Sequence, residues 1–244
     1  MPPSTRRELL GGTAAVAIAG PAWGRTISRE MPWQPNEVYP PAQAEAGPLQ
    51  FLTADEAATL DAIVDRLIPA DDLGPGGKDA GCTTFIDRQL AGPFGVNEGL
   101  YNEGPFAEHP LPTQGLQTAL TPREQYRKGL AALADYCRGK FAGRKFEQLS
   151  GAEQDDLLKG MEKGEVQLPG FASRALFAAV HTGTMEGFFS DPVYGGNRGM
   201  VGWKLVGFPG TRYDYRDVID NPNKPYTLPP VPIKGRAEWD KASK

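Results

Sequence analysis

Residues 53–69 read TADEAATLDAIVDRLIP, and this stretch sets the fold class. Thr53 and Glu56 have the spacing of a capping box, in which each side chain bonds a backbone N–H group at the start of a helix. Pro69 ends the pattern because proline does not continue a helix. Between them, apolar residues recur at steps of three and four, as on one face of a helix: Leu60, Ile63, Val64, Leu67 and Ile68. The stretch therefore predicts an amphipathic helix that packs on a core.

The same signals predict further helices. Thr121-Pro122-Arg123-Glu124 and Ser150-Gly151-Ala152-Glu153 are two more capping boxes, each followed by apolar residues at helical spacing. Two other helices are expected from Asp79 to Ala91 and from about Gly170 to Phe189. No segment alternates regularly enough to predict a sheet. We expect a mainly α, irregular domain of about five helices, with long Gly/Pro-rich loops and extended N- and C-terminal arms.

The composition supports this class and excludes several functions. The 244 residues include 30 Gly and 23 Pro, which predicts long irregular connections. The formal net charge is −4, whereas nucleic-acid partners require clustered excess Lys and Arg, so we expect no nucleic-acid partner. Two Cys residues supply neither a c-type haem attachment motif nor an iron–sulfur ligand set. His109 and His181 lie in unrelated contexts, so we expect no metal site.

The N-terminus has the pattern of an export signal. Arg6 and Arg7 precede a short run of small apolar residues, as in twin-arginine signals. We therefore expect residues 1–22 to be a signal peptide and residues 23–50 to be a Pro-rich extended arm. This route exports folded proteins, which predicts a periplasmic location.

Cys82 and Cys137 allow three interpretations. In an oxidising compartment the two residues form one disulfide, or each is a small buried core residue. The third alternative is a cross-link between subunits. Cys137 lies on the inward stripe of its predicted helix, whereas Cys82 follows Gly81 and is expected to be able to point outward. Sequence spacing does not decide among the three.

One group of side chains resembles an acid–base site. His181 and Glu186 lie near Asp191 and Tyr194 in the sequence. No nucleophile or second base accompanies them, so a hydrogen-bonded structural histidine is the simpler interpretation. A freestanding periplasmic enzyme that uses His181 and Glu186 stays an alternative.

Residues 188–203 form a segment that is dense in aromatic, turn-forming and basic residues. Dense loops of this kind are often functional, and aromatic and arginine side chains anchor many protein interfaces. We expect the segment to form a structured loop at or beneath a contact with a partner, or an ordinary loop inside the domain. The candidate residues are Asp191, Tyr194, Asn197, Arg198 and Trp203.

Three blocks of this sequence resemble a known family. Residues 190–198 read SDPVYGGNR, residues 202–210 read GWKLVGFPG, and residues 63–72 read IVDRLIPADD. They are similar to the signature of the gluconate 2-dehydrogenase subunit 3 family. The resemblance extends from residue 51 to about residue 215, which predicts a helical domain over 51–215 and an extended tail over 216–244.

The resemblance implies the role of a non-catalytic accessory subunit. Family members are small subunits of periplasmic, membrane-associated dehydrogenases that oxidise sugars, sugar acids or polyols. Their large subunit is an FAD-containing flavoprotein of the glucose-methanol-choline (GMC) type, and a multihaem cytochrome c often completes the complex. The small subunit carries the twin-arginine signal and helps the flavoprotein to mature, so contact with the membrane is expected only through the complex. No catalytic, cofactor or metal residues are implied for this chain. A periplasmic sugar-binding module is the remaining alternative.

Overall fold

Five long helices and one short helix make up most of the regular secondary structure of the described residues. The computed structural model describes residues 47–100, 103–107, 111, 113, 115, 117–212, 215–216, 218–220 and 222–233. The helices are α1 Ala54–Leu67, α2 Cys82–Ala91, α3 Pro122–Lys140, α4 Gly151–Lys163, α5 Ser173–Phe189 and α6 Val201–Val206. The mainly α fold class and all five predicted helices are confirmed; the short α6 was not predicted.

The three predicted capping boxes are all present. The Thr53 N–H group donates to the Glu56 carboxylate at 2.8 Å at the start of α1. In return, the Thr53 side chain accepts the Glu56 N–H group. Both bonds are also present between Thr121 and Glu124 at the start of α3 and between Ser150 and Glu153 at the start of α4. Because these bonds form within one turn, the local sequence is sufficient to fix where the three helices begin.

Two predicted helix starts were too early. The second helix begins at Cys82 and not at Asp79, because Gly81 has a φ angle of 82° in the left-handed region, which ends any helical run through it. The fifth begins at Ser173 and not near Gly170, because the residues before it form a small antiparallel hairpin.

This hairpin was not predicted, since its strands are too short to show alternation. Strand β1 is Gln167–Leu168 and strand β2 is Phe171–Ala172, with Gln167 opposite Ala172. Pro169 and Gly170 form the turn, and Gly170 has a φ angle of 66°. Pro followed by Gly at the two central positions is the preference of a type II turn.

Helix α5 is the centre of the domain and packs against each of the other five helices. Its buried apolar side chains include Leu176, Val180 and Phe188. Gly183 and Gly187 allow α2 to approach closely. A Cβ atom on Gly187 would lie 3.1 Å from the Phe85 ring, which is closer than most Cβ atoms approach a neighbouring side chain in a packed core.

The segment before α1 is held by one buried carboxylate. Asp87 on α2 accepts the backbone N–H groups of Gln50, Phe51 and Leu52 at 2.7, 2.9 and 2.7 Å. The guanidinium of Arg127 lies 4.4 Å from the centre of the Phe51 ring. This segment therefore belongs to the folded domain, although it lies at the end of the predicted arm.

The described part of the predicted tail returns to the domain. Val231 is buried, its N–H group donates to the Pro209 carbonyl, and its carbonyl accepts the Thr211 N–H group at 2.8 Å. These bonds, together with the one from the Ile233 N–H group to the Asp191 carboxylate, hold this segment on the domain.

Several predictions lie outside the described residues. They concern the signal peptide 1–22 with Arg6 and Arg7, residues 23–46 of the arm, His109, and residues 234–244 of the tail. Among the residues that the structure does describe, no helix has the length and apolar character needed to cross a bilayer.

Candidate functional site

The loop between α5 and α6 contains four of the five candidate residues of the sequence analysis, and the fifth, Trp203, lies on α6. It folds into two short 3-10 turns, Pro192–Tyr194 and Arg198–Met200, before α6 begins. Four of the five candidates bind this loop to its surroundings.

Asn197 closes the loop from inside. Its side chain is fully buried, and its backbone has a φ angle of 44°, in the left-handed region. The carboxamide nitrogen donates to the Ser190 carbonyl at 2.8 Å, and the carboxamide oxygen accepts the Gly202 N–H group at 2.8 Å. One side chain thus joins the end of α5 to the start of α6.

Asp191 links the loop to the C-terminal segment. One carboxylate oxygen accepts the Val193 N–H group at 2.9 Å, which caps the first 3-10 turn. The other oxygen accepts the Ile233 N–H group at 2.7 Å. Each oxygen accepts a hydrogen bond from a backbone N–H group, so this carboxylate has a structural role.

Trp203 anchors α6 to α5. Its indole N–H group donates to the Phe189 carbonyl at 2.8 Å, and its ring meets the Phe208 ring edge to face at 5.1 Å. The indole is buried. Burial of a large aromatic group with its polar atom satisfied is typical of a packing anchor.

Arg198 connects the loop to the start of α2. Its backbone N–H group donates to the Ala80 carbonyl at 3.0 Å, and its guanidinium donates to the Thr84 hydroxyl at 2.8 Å. A Cβ atom on Gly81 would lie 2.6 Å from the Arg198 Nε atom. Glycine at position 81 is therefore required by space as well as by backbone conformation.

Tyr194 differs from the other four. Its side chain is 48% exposed and lies at the surface, beside Glu186 and Gln89. The structure therefore brings the five candidates together in the α5–α6 loop and the first turn of α6, where most of their polar groups form hydrogen bonds within the chain. The Tyr194 ring is the part of this set that is best placed to meet another molecule.

His181 and Glu186 both lie on α5 but do not form a pair. At 3.6 residues per turn their positions differ by about 140° around the helix axis. The His181 ring stacks on the Phe177 ring with a centroid distance of 5.9 Å. Among the described residues, no group of three or more His, Cys, Asp or Glu side chains has the arrangement of a metal site.

Both cysteines are free and buried. Burial raises the pKa of the Cys82 thiol to about 12 and that of the Cys137 thiol to about 11. The expectation that Cys82 points outward was wrong, because the first turn of α2 packs against Gly187 of α5. The structure thus places both residues as small core side chains.

An apolar groove with a volume of about 580 Å³ lies between α2, α3 and α5 and was not predicted from the sequence; we call it the α2–α3–α5 groove. Among its lining residues are Phe85, Gln89, Phe94, Asn97, Leu100, Gln125, Tyr126 and Glu186. The signal that was available is the pair of large apolar residues, Phe94 and Leu100, in a stretch otherwise rich in Gly and Asn.

Tyr126 forms part of the floor of this groove. Its hydroxyl donates to the Ala179 carbonyl at 2.8 Å. Burial, and then the negative charge of Glu186, raises the pKa of this phenol. The tyrosine is therefore a neutral packing residue that joins α3 to α5.

Comparison with known proteins identifies the family. The profile described as Gluconate 2-dehydrogenase subunit 3 matches residues 54–210, which include α1 to α6 and the whole α5–α6 loop. Searches of curated proteins and of solved structures returned no match. Since the matched region covers more than half of the chain, this protein belongs to the gluconate 2-dehydrogenase subunit 3 family.

Proposed function

We propose that the chain is a non-catalytic accessory subunit of a membrane-associated, flavin-dependent dehydrogenase that oxidises a sugar, a sugar acid or a polyol. The observation that carries this proposal is the family match over residues 54–210. The subunit binds the FAD-containing large subunit, of the GMC type, and stabilises it. FAD belongs to that partner, and haem c belongs to a cytochrome subunit where one is present.

The hydrogen bonds made by the α5–α6 loop and by Trp203 on α6 support an accessory role. Asp191, Asn197 and Trp203 direct their polar atoms to backbone groups of the same chain. A catalytic acid, base or nucleophile needs a polar atom that can reach substrate. The loop is therefore better suited to build a rigid surface than to perform chemistry.

The N-terminal sequence supports the second part of the proposal, which is joint export. Arg6 and Arg7 precede a short apolar run, the pattern of a twin-arginine signal. This pathway carries folded proteins, so a flavoprotein that has already bound FAD can leave the cytoplasm with this subunit. The complex is then periplasmic and contacts the inner membrane through its other subunits.

Cell fractionation tests the joint export. Arg6→Lys combined with Arg7→Lys should leave both this chain and the flavoprotein in the cytoplasm. Arg25→Lys, which alters an arginine outside the signal, is the matched control and should export both proteins normally. Export of the flavoprotein in the double variant, without this chain, would contradict the proposal.

A further inference from the structure

The α2–α3–α5 groove continues into a second depression. The second one has a volume of about 560 Å³ and shares Phe85, Gln89 and Glu186 with the first. Because they share these residues, the two depressions form one open channel, whose lining includes Leu100 in the first and Tyr194 in the second. A site that is open to solvent fits a chain segment of a partner better than a small molecule, which is usually held in an enclosed cleft.

Large apolar side chains stand exposed along this channel. Phe94 is 54% exposed and Leu100 is 63% exposed. A contiguous apolar surface of this kind marks an interaction site in a soluble protein, since leaving it in water is unfavourable. The occupant is therefore apolar along most of its contact.

One buried donor in the groove has no acceptor among the residues that the structure describes. Asn97 is 8% exposed, and its carboxamide nitrogen makes no hydrogen bond to any described residue. The backbone around it is fixed, because its N–H group donates to the Phe94 carbonyl at 3.1 Å and its φ angle is 55°. Buried amide groups are normally paired, so the missing acceptor is expected from the occupant as a carbonyl oxygen.

The negative charge of Glu186 indicates which charged side chain the occupant should carry. Among the described residues that line it, Glu186 is the one with a charged side chain. Glu186 lies at the junction of the two depressions and is exposed. A lysine or arginine in an otherwise apolar segment would be complementary to this arrangement.

We propose that the α2–α3–α5 groove docks an apolar segment of the flavoprotein subunit. The segment supplies a carbonyl oxygen to Asn97 and a lysine or arginine side chain to Glu186. This inference rests on the proposed function, because it assigns the surface by which the accessory subunit holds its partner.

The test uses the tagged full-length chain, purified from its native cells together with the flavoprotein it retains. Leu100→Asp and Glu186→Lys should each lower the retained flavin by about tenfold or more, since they place a charge in an apolar contact or reverse a complementary one. Leu73→Asp is the matched control, because Leu73 is 76% exposed and lies outside the groove. It should retain flavin within about twofold of the unaltered chain.

A photo-crosslinking side chain placed at Leu100 gives a second readout that does not depend on weakened binding. It should form an adduct with the flavoprotein, identified by mass, whereas the same group at Leu73 should form none. Equal retention in all variants, with no adduct from Leu100, would overturn the groove assignment while the proposed function stands. An adduct within this chain or with a second copy of it would also overturn the assignment. Loss of flavin from the unaltered chain would instead overturn the proposed function.

Discussion

The carboxamide oxygen of Asn197 accepts the backbone N–H group of Gly202 at 2.8 Å, across the turn that joins α5 to α6. The same side chain donates to the Ser190 carbonyl. Asn197 is fully buried, so both groups it serves are shielded from water. The position of α6, and of Trp203 on it, therefore depends on one asparagine.

Replacing Asn197 with alanine should destabilise the domain by about 3 kcal/mol. The substitution leaves the Gly202 N–H group unsatisfied and retains a left-handed backbone that alanine disfavours. Thermal unfolding should show a decrease in Tm of about 6–12 °C. Asn223→Ala is the matched control, because Asn223 is exposed and has a φ angle of 61°. A similar decrease in both variants would mean that the Asn197 hydrogen bonds contribute nothing.

Replacing Asp87 with alanine should destabilise the chain by about 2–4 kcal/mol. Three backbone N–H groups, from Gln50 to Leu52, would lose their acceptor in a buried or partly buried place. Limited proteolysis should then cut near residue 50, and urea unfolding should show the lower stability. Asp156→Ala, at an exposed position of α4, should change the free energy of unfolding by less than about 0.5 kcal/mol. Unchanged stability in the Asp87 variant would contradict this role.

The parts of the fold that can be predicted from the sequence are those fixed by hydrogen bonds within one helical turn. Thr53, Thr121 and Ser150 bond residues three positions away, so their helix starts are visible in the sequence. Helix α6 was not predicted because it is held by hydrogen bonds from Asn197 to Ser190 and from Trp203 to Phe189. These partners lie 7 and 14 residues apart in the sequence, so no local pattern shows them. The start of α2 was misplaced because nothing nearby shows that Gly81 takes a positive φ angle.

The candidate site was predicted as a set of residues but not as a surface. The motif around Asp191 and Asn197 marks one structured loop in the sequence, whereas the hydrogen bonds within this loop are visible only in three dimensions. The α2–α3–α5 groove is formed by three helices that are far apart in sequence. Its exposed residues, such as Leu100, belong to a loop without periodicity, so no pattern indicated that they face a common channel.

Both thiols should resist modification in the folded protein. Burial raises the pKa values of Cys82 and Cys137 far above neutrality, so little reactive thiolate is present. Ellman's reagent should react negligibly at about pH 8 and should titrate both thiols once the chain is unfolded without reductant. Fast reaction in the folded state would contradict the burial, and no thiol in the unfolded chain would indicate a disulfide.

The pairing of Glu153 with Arg144 should make stability depend on pH in the acid range. The two side chains meet at 2.8 Å, and the Arg144 guanidinium, followed by the Ser150 cap, lowers the pKa of Glu153 to about 2. A lowered pKa adds stability above the unfolded value of about 4.3, and this contribution is lost as the pH falls toward about 2.

The matched comparison uses thermal unfolding from about pH 7 to about pH 3. Glu153→Gln should have a lower Tm than the unaltered chain near neutrality, and the difference should stay constant down to about pH 5 and shrink between about pH 5 and about pH 3. Glu162→Gln, at an exposed position near the end of α4, should show no such trend. A difference that is constant with pH would rule out the ionic contribution.

Replacing His181 with alanine should leave the dehydrogenase activity of the purified complex within about twofold of normal. The ring stacks on Phe177 at an exposed part of α5, so its loss removes a packing contact only. Activity is measured with an artificial electron acceptor, per flavin, to separate catalysis from assembly. A large decrease in activity per flavin would favour the enzyme that uses His181 and Glu186.

If this chain is the accessory subunit of a flavoprotein dehydrogenase, as we propose, it should remain bound to that partner during purification. The most direct test is a mild affinity purification of the tagged chain from its native cells, with flavin absorbance and mass identification of the proteins that accompany it. We expect an FAD-containing partner in a constant ratio to this chain, with dehydrogenase activity toward a sugar, sugar acid or polyol. A folded chain that purifies alone and without flavin would contradict this proposal.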